Sequence, residues 1–173
     1  MFGDCAAPPP VSAAAVLTGL AIDPNATIPY REEVHHDALP APETASGTMH
    51  VAPDGWLVKA QARPRVEISE VGEDVVSLRD APETERNLLP IPPEARPVLE
   101  ALRAVMSGNL ALLAERFAPA LVSDTSLWRV RLAVHQTPDV LPVILIGCGA
   151  VLRGIEINEP GGIRRLIAFG TAR

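Results

Sequence analysis

From Ser126 to His135 the chain alternates: Trp128, Val130, Leu132 and Val134 hold one set of positions, Arg129, Arg131 and His135 the other. A period of two belongs to an extended strand whose side chains point to opposite faces, one buried and one wet. A chain carrying this segment must therefore build a sheet and cover one side of it. Further short runs fit the same sheet: Thr27 to Val34, Gly47 to Val51, Trp56 to Ala62, Val66 to Val71 and Val75 to Leu78 before it, and Leu141 to Ile146, Leu152 to Asn158 and Ile163 to Phe169 after it. Pro, Gly and Asp separate them, as in an antiparallel meander.

The turns have suitable chemistry. Pro53-Asp54-Gly55 combines a fixed φ with a residue that tolerates positive φ, and Gly147-Cys148-Gly149 and Pro160-Gly161-Gly162 divide the last strands. Pro29 lacks a backbone donor, which predicts that the first strand lies at a sheet edge.

Between the strand groups the period changes. Val98, Leu99, Leu102, Val105 and Met106 recur at helical spacing, with Gly108 placed to end that helix. Asn109 opens a second helix bearing Leu110, Leu113 and Phe117, closed by Pro119. Ser12 is a plausible N-cap for a leading helix that Asp23-Pro24-Asn25 stops. Helices are thus expected near 12–22, 94–107 and 109–118, and the fold class is α+β: one strongly curved, unclosed antiparallel sheet with helices covering its concave side. Residues 1–10, ending in Pro8-Pro9-Pro10, read as a flexible lead, and 11–173 as a single domain.

Composition narrows the function. The chain has 173 residues and 47% are apolar, yet aromatics are limited to two Trp, one Tyr and three Phe, so the core must be aliphatic. A net charge of −6 with scattered basic residues offers no basic face for nucleic acid. Gly147-Cys148-Gly149 joins two strands and is no dinucleotide loop, and the one lysine, Lys59, follows no glycine loop, so no cofactor is expected. His35-His36-Asp37 reads as a polar loop after the first strand, and no metal is expected. No nucleophile elbow or cysteine-base pair appears. Glu32, Glu33 and Glu156 read as solvated, outward carboxylates, and no catalytic residue is assigned. Cys148 reads as a small buried residue and Cys5 as part of the lead; two cysteines make no disulfide framework. Ala13 to Leu17 has the character of a signal h-region, but no basic residue precedes Arg31, so no signal peptide is read.

What remains is surplus apolar surface. Trp128, Val130, Leu132, Ile155, Ile157 and Phe169 are expected to line a dry cavity, with Ile167 on the same inward face. Leu99, Leu102 and Met106 on one helix and Leu110, Leu113 and Phe117 on the next are expected to face it as a lid. Met49, Val51, Trp56 and Val58 from the second and third strands complete the expected lipid-binding set.

Several segments resemble the outer-membrane lipoprotein carrier (LolA-like) family, as a divergent branch. They are Tyr30-Arg31-Glu32-Glu33, the strand and turn Ser46 to Asp54, Trp56 to Lys59 with Arg63-Pro64, the helix pair Leu99 to Phe117 broken at Ser107-Gly108-Asn109-Leu110, Trp128 to Leu132, and the hairpin Ile146 to Glu156. The likeness runs from about Leu17 to Phe169. It implies a non-enzymatic, monomeric periplasmic carrier that shields the acyl chains of a lipoprotein or other lipid cargo. An inner-membrane transporter and an outer-membrane receptor are the implied partners. Where the best-known carriers have a lid-closing arginine after this strand, the chain has Ala52-Pro53. The alternative is a non-catalytic structural or interaction module of an envelope lipid-export complex with a filled core.

Overall fold

A computed structural model describes residues 2–80, 87–123, 125–135 and 143–170. Eleven strands form one sheet: β1 (Ile28–His36), β2 (Glu43–Val51), β3 (Leu57–Arg63), β4 (Glu67–Val71), β5 (Val75–Arg79), β6 (Asn87–Pro90), β7 (Phe117–Ser123), β8 (Leu127–Val134), β9 (Val143–Cys148), β10 (Val151–Glu159) and β11 (Ile163–Phe169). Three helices accompany them: α1 (Ala13–Gly19), α2 (Arg96–Met106) and α3 (Leu110–Arg116). The order β6-β5-β4-β3-β2-β1-β11-β10-β9-β8-β7 is antiparallel throughout and leaves β6 and β7 unpaired with each other, so the barrel stays open. The expected fold class is the one observed.

Local signals account for the helices. Ser12 caps α1 by accepting from the Ala15 amide, and Asn109 caps α3 by accepting from Leu112. Gly108 follows the C-cap of α2 at φ 68°, where a Cβ would be strained. Along α2, Val98, Ala101, Leu102 and Val105 form the buried stripe. α2 packs against β2, and α1 and α3 pack near β7, which closes one core over the inner face of the sheet.

Several expectations are corrected. Pro29 is not on an edge strand, because β1 lies between β2 and β11. Its carbonyl accepts from Gly170, one residue past the end of β11, so its missing donor falls where the β1–β11 ladder runs out. Phe117 and Pro119 belong to β7 and not to a helix, and β7 is an edge strand, the place where a proline removes no needed ladder bond. β6, ending at Pro90 on the other edge, had no pattern long enough to announce it. His35 and His36 are the last residues of β1, paired with Arg164 and Ile163, and not a loop. The expected strand from Leu141 begins within the described residues at Val143; its first two residues lie outside them.

The cysteine reading is also corrected. Cys5 and Cys148 form a disulfide closing 143 positions of sequence. It fastens the first residues to the end of β9, and the Phe2 ring lies where a Cβ on the outward-facing Gly154 would sit. The segment expected as a free lead is tied to the outside of the sheet.

Candidate functional site: an apolar groove with a charged wall

Cross-strand registers fix which side chains share the inner face. Met49 pairs with Lys59, Val51 with Leu57, Glu32 with Ile167, Ile155 with Ile167, and Arg165 with Ile157, so all of these point towards the helices. His50 and Val58 pair on the opposite, outer face.

The inner face is divided into a filled half and an open half. Over β7 to β9, and at Ile155 in the middle of β10, it is filled. Trp128, Val130, Leu132, Ile155, Leu113 and Phe117 are all buried in the core and line none of the described cavities. The expected cavity against Trp128 is therefore corrected. Gly147, directly across from Trp128, explains the dense packing: a Cβ there would overlap the indole and the Val151 carbonyl, and the ring is anchored by Nε1 donating 2.9 Å to the Gly149 carbonyl.

Beneath the first half of α2 the sheet stays open. A cavity of about 460 Å³ lies between Val98, Leu99 and Leu102 of α2 and Met49, Leu57, Val71, Ile157 and Ile167 of the sheet. Its size is within the roughly 300–1,000 Å³ usual for ligand clefts. Inner-face residues here include Lys59 and Ser69, too polar or too small to fill an apolar space. Five expected residues meet in this cavity: Met49, Leu99, Leu102, Ile157 and Ile167. Met106 and Phe169 instead line a second cavity of about 390 Å³ with Ile22, Ile28 and Leu152. Val51 faces a more polar cleft beside Leu99 and Arg103. Leu110 packs on the core margin, Trp56 lies against Gly72, and Val58 is on the outer face.

One wall of the 460 Å³ cavity is charged. Glu32, only 2% exposed, is held by Lys59 Nζ at 2.5 Å on one carboxylate oxygen and by Arg165 Nη1 on the other. Arg165 Nε also donates to Glu159 at 2.7 Å, and Lys59 Nζ stands 5.2 Å from the Tyr30 ring centroid. Burial alone would raise the Glu32 pKa, but the two cations outweigh it and hold the carboxyl below its ordinary value. Burial works against the Arg165 charge too, and Glu159 and Glu32 reverse it. Tyr30 is pushed up, by burial first and then by Glu32 and Glu67.

Reading Glu32 as an outward carboxylate is thus corrected. Its parity was visible: Glu32 stands two positions from Tyr30, Lys59 two from Leu57, and Arg165 two from Ile167, so each must share a face with a buried neighbour. Glu156 is buried as well, though on the outer face against Arg129.

This geometry defines a half-open antiparallel barrel with an apolar groove under a helix. No protein-family model and no curated protein matches the chain. Among solved structures it is similar to a LolA superfamily protein from Nitrosomonas europaea, at 8% identity and TM-score 0.48, covering 95% of this chain and 94% of that one. It is similar also to a DUF1329 family protein from Desulfovibrio piger, at 8% identity and TM-score 0.47 over 93% and 90%, and to LprF from Mycobacterium bovis, at 13% and 0.36 over 92% and 89%.

Proposed function

We propose that this protein is a non-catalytic carrier that holds an acyl chain of a lipid or lipoprotein in the groove beneath α2 and moves it through the periplasm towards the outer membrane. The observation that carries the reading is the 460 Å³ apolar cavity itself, beneath the first half of α2 and walled by the Glu32, Lys59 and Arg165 network. Each acyl CH₂ transferred there contributes roughly 0.8 kcal/mol, enough for several methylenes to hold a cargo that can still be released.

Two features support the rest. A Cys5–Cys148 disulfide suits an oxidising compartment such as the periplasm. Glu32, among the described residues the one carboxylate buried at the groove, is kept ionised with both oxygens engaged, which makes it a poor proton acceptor near neutral pH. A transporter that loads the carrier and a receptor that unloads it would complete the route.

The test is native mass spectrometry of the protein purified from its own envelope, followed by displacement of a fluorescent fatty acid by hexadecanol from delipidated protein. Co-purifying acyl species and saturable displacement are expected. Protein that is bare by mass and does not bind the probe would leave the interaction-module reading instead.

A further inference from the structure

The charged wall of the groove faces two ways. Glu32, Lys59 and Arg165 line the apolar cavity on one side, and the same three residues line a second, polar cavity of about 460 Å³ on the other, which Thr44, Gln61 and Arg65 help to form. An amphiphile whose tail fills the apolar side can set its head at this wall. We propose that the wall is a head-group site, and that Lys59 and Arg165 bind an oxyanion, carboxylate or phosphate, at the end of a single acyl chain. The proposal deepens the carrier reading and rests on it.

The wall has hydrogen-bonding capacity to spare. Both oxygens of Glu32 are taken, one by each cation, and Glu159 Oε1 accepts from Arg165 Nε. Among the described residues, Lys59 Nζ makes one hydrogen bond of the three an ammonium can donate, and Arg165 Nη2 makes none. The unused capacity of the wall consists of donors on cations, which suits an acceptor with negative charge.

Other charges face the same space. Glu43, Glu67 and Arg65 line the polar cavity and Glu94 the apolar one. Glu43, Glu94 and Arg65 are exposed and Glu67 half-buried, so water screens them more than it screens the Glu32 contacts. Glu32 occupies the cations when no cargo is present and competes with an incoming anion. That competition gives the site a way to release its cargo.

The test is a set of hexadecyl probes of equal tail: hexadecanoate, hexadecyl phosphate, hexadecanol and hexadecyltrimethylammonium, titrated below their micelle concentrations against delipidated full-length protein. Either anion should bind about tenfold or more tighter than hexadecanol, the range of charge-assisted hydrogen bonds, and the tighter of the two identifies the oxyanion. Lys59→Met should remove most of this preference, read as the ratio of anion to hexadecanol affinity within the variant itself. Glu32→Gln should strengthen anion binding. A thermal melt of each variant confirms that it is folded, and Lys59→Met leaves Glu32 paired with Arg165. Hexadecanol binding as tightly as the anions, or a preference for the ammonium, overturns the head-group site while the groove stands. No binding by any probe overturns both.

Discussion

Leu102 and Leu132 are two buried leucines on opposite sides of the same core, and the division of the inner face predicts that they respond differently to substitution. Leu132 is 1% exposed, lies across from Val143 and Pro119, and borders no described cavity. Leu132→Ala should leave a new hole among atoms that cannot collapse, costing about 3–5 kcal/mol. Leu102 already borders 460 Å³ of open space, so its side chain has fewer neighbours to lose, and Leu102→Ala should cost about 2–3 kcal/mol, the low end for this change. The sharper variant is Leu102→Trp. In a filled core the larger ring would be expelled or would cost about 1–3 kcal/mol or more, but the open groove can take it, so stability should change by less than about 1 kcal/mol. Binding should show the reverse pattern: Leu102→Trp abolishes displacement of a fluorescent fatty acid, while Leu132→Ala, if folded, retains it. Urea melts and the displacement titration on the three variants are sufficient. A Leu102→Trp protein that loses more than about 3 kcal/mol, or that binds the probe as before, would show that the space under α2 is not the groove.

Three further outcomes follow from the same geometry. Replacing Cys5 with Ser opens a cross-link spanning 143 positions, and thermal melts should show a loss of about 2–5 kcal/mol, equal to that of Cys148→Ser and of the reduced parent protein. Gly147→Ala drives a methyl into the Trp128 ring and the Val151 carbonyl, so it should destabilise by about 1–3 kcal/mol or more and shift the Trp128 fluorescence; an unchanged melt and spectrum would contradict the packing. The lowered pKa of Glu32 means that its contribution to stability is complete above the ordinary value of 4.5 and is lost as pH falls through the lower folded value. Acid melts of the parent should therefore lose stability below that pH more steeply than those of Glu32→Gln, and parallel curves would remove Glu32 from the account.

The strands that carry a strong local pattern were legible in the sequence, and those whose meaning depends on neighbours were not. The alternation in β8 needs only its own residues to be read, and so do the caps Ser12 and Gly108 and the Pro53-Asp54-Gly55 turn, where Gly55 takes φ 84°. Pro29 misled because a proline reports which backbone group is missing, not which partner would have received it. Only the end of β11 at Phe169 makes the interior position harmless. Phe117 fits a helix face by spacing, yet Pro119 two residues on fits an edge strand better, and only the presence of β8 alongside decides it. The groove was placed at the wrong end for a related reason: apolar alternation marks a buried face but does not say whether that face is filled.

Whether it is filled depends on size and polarity summed across strands that are distant in sequence. On the β8–β9 side the inner positions Trp128, Val130, Leu132, Val143 and Leu145 are all large and apolar, and Gly147 makes room for the one indole. On the β1–β4 side the corresponding positions include Glu32, Gly47, Lys59 and Ser69. A buried glutamate alone would be costly, and the half-buried lysine and arginine beside it would each lose hydration without a partner. They become tolerable because β3, β2, β1 and β11 lie side by side, so that three side chains from residues 32, 59 and 165 meet in one network. A filled apolar core of similar volume would often be as stable or more so, so stability alone does not explain keeping ions there. Keeping them next to an unfilled apolar space does make sense if both are used together, the space for a tail and the cations for a head. That pairing is why substitutions at Lys59 and Leu102 should separate head-group preference from tail binding, although both residues line the same cavity.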